Sequence, residues 1–412
     1  MFKFSNVPPA LFTQLGQSVF GGSILLITPL LLSINEQAVL FLFLSLGALS
    51  RLADMGFLNL VVIYSSKAKD NISEDYTSAL MSLTFERHVK AILVIFPLIL
   101  LTGFSILFLK NNLTIYAFSW SIYVLALAMV FSLNFFLSFY EGRYDIRYAH
   151  ICRGLLYGSS GLFFLVFSFL GFSIYSLGLS LFISAFILLI ILWMKGVINV
   201  NLNNYSHNSS IKEDFNKLSN KTFFSWLGGY FGTHGLVGSS YLFVDSIFSG
   251  MLGLTLNIFI FMQNLSNIFL VSKIPEISRL ASTKSQEAFG LVKKNLQKTY
   301  LSYILLVSVF FIILLNLPEK YSNRLLGFEN IFFISCGFLG IIHTYAYSIF
   351  VRALQIEPFA FMSIATSLIS TFGMIFIADF YQDLSMISFT LASLISFVWT
   401  YYIYTQCRIS YE

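Results

Sequence analysis

The sequence predicts an all-α polytopic membrane protein with about twelve transmembrane helices in two six-helix lobes. Three observations predict this fold class: the composition, the apolar stretches and the distribution of Lys and Arg among the loops. Hydrophobic residues make up 57% of the 412 residues and charged residues only 10%, whereas about a quarter of an ordinary soluble domain is charged. Because so few charged side chains cannot cover a core of this size in water, the chain belongs in a bilayer.

The apolar stretches are long enough to cross a hydrocarbon core of about 30 Å. The twelve predicted spans begin near Leu11, Ala38, Val89, Ile115, Tyr148, Ile174, Thr222, Leu252, Leu301, Ile331, Phe359 and Leu384. They are too long and continuous for barrel strands, and a helix satisfies its own backbone hydrogen bonds in lipid. Each stretch is therefore predicted to be a helix.

The basic residues fall on alternate loops. One set of loops carries 20 of the 24 Lys and Arg, whereas the opposite set holds only Lys110, Lys320 and Arg324. The positive-inside rule therefore predicts that both termini and the central loop are cytoplasmic, which requires an even number of spans. The net charge of +5 follows from these loops and does not indicate a nucleic-acid partner.

The sequence carries no motif for covalent chemistry. The three cysteines, Cys152, Cys336 and Cys407, are far apart and predict neither a disulfide framework nor a metal site. No Ser-His-Asp set, Gly-rich phosphate loop or metal-ligand spacing is present. We therefore expect no enzyme activity, no catalytic residues, no bound metal and no cofactor.

A polar stretch rich in Asn and Ser divides the chain. It predicts an N-lobe of residues 1–196, a cytoplasmic linker of residues 197–221 and a C-lobe of residues 222–412. The halves share a faint repeat: Leu15-Gly16 corresponds to Leu227-Gly228, 212 residues further on, and Ser138 to Ser348 at 210. This repeat favours two lobes related by an axis along the membrane normal, a transporter plan with the site between the lobes. Chance similarity between Phe- and Leu-rich helices is the alternative.

Charged side chains within a span are the first candidates for a functional site. Arg51 and Asp54 lie three residues apart on one face of span two and can pair. A charge at the bilayer centre costs about 2.5–3.5 kcal/mol on insertion scales and usually faces a bundle interior or an aqueous cavity. The pair is thus either a structural ion pair or part of a cationic, proton-responsive cavity, and we prefer the cavity.

Seven side-chain amides and one carboxylate form the rest of the candidate substrate cavity. These candidates are Gln14 and Gln17 on span one, Asn134 on span four, Asp245 near the outer end of span seven, and Asn257, Gln263, Asn264 and Asn267 on span eight. A single polar residue in a membrane helix usually bonds to a neighbouring helix. Amides together with aromatic faces, however, are typical of surfaces that bind sugars. Gly154, Gly158 and Gly161 on span five are predicted to serve helix packing.

Two segments near the N-terminus carry a family resemblance. LFTQLGQSVFGGSILLITPLLL and RLADMGFLNLVVIYSSKAKD resemble the first two helices of Wzx-type polysaccharide flippases, members of the multidrug/oligosaccharidyl-lipid/polysaccharide (MOP) superfamily. MQNLSNIFLVSKIPEISRLAS resembles the eighth helix of that family, and SFYEGRYDIRYA its fourth-to-fifth junction. The sequence SINEQ after span one departs from the Gly-bearing turn that is common there.

The resemblance implies a V-shaped, two-lobed alternating-access fold in the bacterial inner membrane. Its substrate would be an undecaprenyl-diphosphate-linked oligosaccharide, an O-antigen or capsule repeat unit, moved from the cytoplasmic to the periplasmic leaflet. Arg51 would then attract the diphosphate. Expected partners are this lipid-linked oligosaccharide, the membrane lipids and the polysaccharide polymerase of the same pathway. The alternatives are a MATE-like drug or cation antiporter and a polysaccharide polymerase, although a polymerase is expected to have a large periplasmic loop.

Overall fold

The computed structural model describes residues 9–54, 58, 61–62, 74–197, 209–281, 285–354 and 356–411. Across these residues all regular secondary structure is helical. Ten of the described helices are long and apolar enough to cross a membrane. The predicted all-α, multi-pass membrane fold is therefore confirmed.

The first half of the chain contains the helices of predicted spans one to six. They are α1 (Ala10–Leu31), α2 (Ile34–Gly47), α3 (Ser50–Asp54), α4 (Glu74–Leu109), α5 (Leu113–Arg143), α6 (Ile146–Phe169) and α7 (Tyr175–Met194). The second half contains spans seven to twelve. Its helices are α8 (Ser209–Phe243), α9 (Ser246–Ser266), α10 (Ile268–Val271), α11 (Ile274–Ala281), α12 (Ser285–Leu315), α13 (Glu319–Ser322), α14 (Phe328–Ala353), α15 (Ala360–Ala378) and α16 (Ile387–Tyr411), with a 3₁₀ turn at Gln382–Leu384.

The ten long apolar helices account for every predicted span except the second and the seventh. Span two is divided by a turn at residues 48–49 into α2 and α3, and the 14 residues of α2 are too few to cross alone. Span seven forms the second part of α8, whose beginning, SSIKEDFNKLSNK, is polar. Including these two interrupted or polar helices, the fold has about twelve spans, as predicted.

The described residues fall into two compact units. The N-unit comprises Met1–Leu31 and Phe43–Phe223, and the C-unit comprises Leu32–Leu42 and Phe224–Glu412. The boundary after Phe223 lies beside the end of the predicted linker. The segment Leu32–Leu42, which includes the first residues of predicted span two, belongs to the C-unit.

Hydrogen bonds explain why Leu32–Leu42 packs within the C-unit. The side chain of Gln37 is wholly buried, and its Nε2 donates to the carbonyl oxygens of Gly250 and Arg324, both at 3.0 Å. The Arg324 guanidinium in turn donates to the Leu32 carbonyl at 2.6 Å. Gly250 allows the close approach, because a Cβ on it would lie 3.0 Å from the Cα of Ala38.

Replacing Gln37 by Met is expected to lower the melting temperature of the purified protein. The change keeps the side-chain volume but removes the donor to the Arg324 carbonyl and the second donor to the Gly250 carbonyl, which keeps the N–H of its own helix. The expected cost is about 1–3 kcal/mol. Gln17→Met is the matched control, because the Gln17 side chain is exposed. Equal melting temperatures of the two variants would contradict the structural role of Gln37.

The predicted repeat is visible in the helix packing of each unit. In the N-unit, α1 crosses α6 where Gly16 meets the backbone of Gly154, and a Cβ on Gly154 would lie 2.5 Å from the Phe12 carbonyl oxygen. In the C-unit, α8 crosses α15 where a Cβ on Gly228 would overlap the backbone of Ser363. Gly228 is 212 residues after Gly16, and Ser363 is 209 after Gly154. The glycines of span five thus serve close helix packing, as predicted.

Candidate functional site

The predicted Arg51–Asp54 pair is only partly within the described structure. Both residues belong to α3, but the side chain of Arg51 lies outside the described residues, so the pair stays a prediction. The carboxylate of Asp54 accepts the backbone N–H of Leu58 at 2.7 Å. It also interacts electrostatically with Arg153 of α6.

Arg153 belongs to a buried polar network at the junction of α5 and α6. Its Nη1 donates to Oε2 of Glu141, and its Nη2 donates to the Ser138 hydroxyl at 2.9 Å. The ring of His150 approaches the same carboxylate, with 3.4 Å between Nε2 and Oε1. The exposed fractions of the Arg153, Glu141 and His150 side chains are only 13–17%. Burying charges is costly, so the extra hydrogen bonds are needed to compensate the lost solvation.

This network also holds the predicted inner end of α1. The hydroxyl of Thr13 lies 2.9 Å from Nδ1 of His150 and donates to the His150 carbonyl at 3.3 Å. In the sequence, Arg153 stands out only as one of the 20 basic residues on the predicted cytoplasmic loops, which does not predict the network. A usable signal was present: opposite charges, Glu141 and Arg153, stand at the facing ends of consecutive spans.

The C-unit has a corresponding ion pair with acid and base exchanged. Arg352, at the end of α14, donates to both carboxylate oxygens of Glu357, with Nε–Oε2 at 2.7 Å and Nη2–Oε1 at 3.2 Å. Its Nη2 also donates to the Ser225 hydroxyl of α8 at 3.1 Å. Ser225 is 212 residues after Thr13. In each unit the first helix of the repeat is therefore tied to an ion pair at the junction of its fourth and fifth spans.

Some predicted site residues make structural hydrogen bonds. Asp245 is the N-cap of α9, where its Oδ2 accepts the N–H groups of Ile247 and Phe248. The amide of Asn257 donates to the Gly253 carbonyl of its own helix at 2.8 Å. Asn267 is buried between α9 and α10, and its Oδ1 has no hydrogen-bond partner within the described residues.

Other predicted amides are not engaged by the protein. Their side chains make no hydrogen bond to any residue in the described part of the chain: Gln14, Gln17, Asn134, Gln263 and Asn264. Gln17 and Asn264 are exposed, and the other three are partly buried. Each amide offers two donors and a carbonyl acceptor. These five side chains are therefore available to a ligand, whereas Asp245 and Asn257 are already bonded.

Solved structures with the same fold are transporters. The chain is similar to a multidrug resistance MATE family transporter of the MOP superfamily in its inward-facing conformation, with 12% identity, a TM-score of 0.66 and coverage of 97% of this chain and 95% of that one. It is similar to a mutant of the Vibrio cholerae MATE transporter VcmN, with 12% identity, a TM-score of 0.65 and coverage of 98% and 95%. It also matches the ligand-bound MATE multidrug transporter DinF-BH, with 11% identity, a TM-score of 0.65 and coverage of 97% and 94%.

These similarities span almost the whole chain and define its fold, which is MATE-like. No protein-family model and no curated protein matches the sequence. At 11–12% identity the likeness establishes the fold and leaves the substrate to the chemistry of the side chains.

Proposed function

We propose that this protein is a Wzx-type flippase that moves an undecaprenyl-diphosphate-linked oligosaccharide across the bacterial inner membrane by alternating access. The MOP fold supports transport, and the sequence resemblance of spans one, two and eight supports this branch of the superfamily. In this proposal both termini are cytoplasmic, as the loop charges predict. The polysaccharide polymerase of the same pathway receives the product.

The five unbonded amides carry the proposal. Amides form paired hydrogen bonds with hydroxyl groups, which a glycan presents in every ring. A drug cation would instead be attracted by a carboxylate, yet the Glu141 carboxylate is already paired with Arg153 and faces His150, and the Asp54 carboxylate accepts the Leu58 N–H. The side-chain chemistry therefore suits a neutral sugar better than a cation.

Each part of the substrate has a proposed partner. Arg51 attracts the diphosphate, because a guanidinium forms charge-assisted hydrogen bonds with phosphate oxygens. Unbonded amides hold the sugar hydroxyls, and the polyprenyl chain stays in the lipid. Asp54 either balances the charge of Arg51 or couples proton binding to one conformation.

The second candidate is a MATE-like drug or cation antiporter. Its support is the class of the similar structures, which are MATE transporters, two of them described as multidrug transporters. Both candidate functions are compatible with this fold, so only the identity of the transported substrate distinguishes them.

Transport by the purified protein in proteoliposomes separates the two candidates. We expect a fluorescently labelled undecaprenyl-diphosphate oligosaccharide to change leaflet only in vesicles that contain the protein. The cationic dye rhodamine 6G should show no protein-dependent accumulation. Protein-dependent accumulation of the dye without flipping of the oligosaccharide would contradict the flippase function and support the antiporter.

Replacing Asn264 by Leu is expected to slow glycan flipping about 2- to 10-fold, because one net hydrogen bond contributes about 0.5–1.5 kcal/mol. Asn316→Leu is the control, since the Asn316 amide is exposed and bonds only to the Ile312 carbonyl of α12. The initial flipping rate in proteoliposomes measures both variants. Equal rates would remove the amides from the proposed sugar site.

A further inference from the structure

Arg147, the second residue of α6, has no counter-ion among the described residues. Its Nη2 is buried and lacks a hydrogen-bond partner in the same part of the chain. The adjacent acid, Asp145, caps the helix: its Oδ1 accepts the N–H groups of Arg147 and Tyr148 at 2.8 and 3.1 Å. The Asp145 carboxylate thus bonds the backbone of Arg147, and no hydrogen bond or ion pair joins it to the guanidinium.

Two other described arginines at span junctions show what Arg147 lacks. Arg153 has Glu141 and Ser138 as acceptors, and Arg352 has Glu357 and Ser225. A buried charged donor without an acceptor is costly. The planar guanidinium matches the geometry of phosphate oxygens, which it binds in pairs. The unfilled hydrogen-bonding capacity of Arg147 therefore fits a phosphate group.

Tyrosine rings lie beside Arg147 along the chain. The ring centroids of Tyr140 and Tyr144 are 5.1 Å apart, and those of Tyr140 and Tyr148 are 5.4 Å apart. The three rings are tilted against one another and form a cluster. Tyr144 is 54% exposed and makes the cluster accessible at the junction of α5 and α6, whereas the Tyr148 hydroxyl is buried. An aromatic ring presents an apolar face and a polar hydroxyl, which suits a sugar ring with its C–H faces and hydroxyl groups.

We propose that Arg147 and the Tyr140–Tyr144–Tyr148 cluster form a binding site for a phosphate ester joined to a sugar. That the ester is lipid-linked rests on the proposed flippase function. A soluble sugar nucleotide presents the same chemistry and is the other source. The predicted topology places this junction on the cytoplasmic side, where a substrate would be loaded.

The site belongs to the N-unit alone. In the repeat at an offset of 209, Arg147 corresponds to Ile356, Tyr144 to Ala353 and Tyr148 to Glu357. The C-unit therefore has neither the corresponding guanidinium nor the tyrosine cluster at the equivalent junction. The site is a specific addition to the shared helix plan.

Binding of geranylgeranyl diphosphate to the detergent-purified protein tests the guanidinium, with geranylgeraniol as the uncharged comparison. Arg147→Gln is expected to weaken diphosphate binding about 10-fold or more, because hydrogen bonds to charged groups are worth about 1.5–3 kcal/mol. Arg147→Lys should keep part of the affinity, because lysine keeps the positive charge but lacks the planar guanidinium that binds two phosphate oxygens at once. Lys90→Gln, which removes an exposed charge paired with Glu86, should bind as the wild type does. Unchanged binding by Arg147→Gln, or no diphosphate binding by the wild type, overturns the site.

A second measurement tests the tyrosines and the source of the ligand. Undecaprenyl-diphosphate-N-acetylglucosamine should bind more tightly than undecaprenyl diphosphate, and Tyr144→Ala should abolish only this difference. Competition by UDP-N-acetylglucosamine at the same concentrations would overturn the lipid-linked source in favour of a soluble one. The melting temperature of each variant confirms that it is folded.

The outcomes separate this site from the proposed function. If diphosphate binding depends on Arg147 but the protein does not flip the lipid, the binding site is supported and the flippase function is contradicted. If the wild type flips the lipid but Arg147→Gln binds diphosphate as the wild type does, the flippase function is supported and the binding site is contradicted.

Discussion

Glu141→Ala is expected to lower the stability of the protein by about 3–5 kcal/mol, the cost in soluble proteins of removing one partner from a buried ion pair. The change leaves the Arg153 guanidinium, whose side chain is 13% exposed, without its carboxylate. It also removes the acid that faces His150. The melting temperature and the yield of monodisperse protein after detergent extraction measure the effect.

Two further variants identify the cause of this destabilisation. Glu141→Leu combined with Arg153→Leu should recover most of the loss, because a buried pair can often be replaced by apolar side chains at little cost. Glu86→Ala, which breaks the exposed pair with Lys90, should cost at most about 1 kcal/mol. A double variant no more stable than Glu141→Ala would show that the network has a role beyond charge compensation.

Gly228→Ala is expected to be as disruptive as an overpacked core substitution, which typically costs about 1–3 kcal/mol. Its new Cβ would overlap the backbone of Ser363 on α15, and backbone cannot rotate away as a flexible side chain can. Gly229→Ala is the matched control on the same helix, because nothing lies within 4 Å of the Cβ it adds. Alanine also has the higher helix propensity, so this control should be neutral or stabilising.

The corresponding pair in the N-unit repeats the experiment. Gly154→Ala places a Cβ 2.5 Å from the Phe12 carbonyl oxygen, whereas the Cβ of Gly158→Ala would make ordinary contact with Gly16 at 3.9 Å. Size-exclusion profiles and melting temperatures should therefore separate Gly154 from Gly158 and Gly228 from Gly229. Similar behaviour within either pair would contradict the close helix crossing in that unit.

The two units share these features for a reason visible in the sequence. A helix crossing needs small residues at fixed positions, so the correspondence of Gly16 with Gly228 carries structural information even where the surrounding residues differ. The ion pairs follow a looser rule. Glu141–Arg153 and Arg352–Glu357 exchange acid and base, because compensation of charge depends on the presence of both partners and not on their order.

The sequence by itself determined the helical class, the number of spans and the position of the helix-packing glycines. These properties follow from hydropathy and residue size, which add along a continuous segment. Spans two and seven were still recognisable, although neither is among the long apolar helices: the turn after Gly47 divides span two, and span seven is rich in glycine.

Only the tertiary structure decided which polar groups meet. It placed Leu32–Leu42 in the C-unit through Gln37 and Arg324, and it joined Thr13 to His150, 137 residues away. It also separated Asp245, which caps α9, from amides such as Asn264 that remain unbonded within the described chain. A hydrogen bond depends on distances of about 3 Å between groups that the chain brings together from remote positions, and no local property of the sequence specifies those distances.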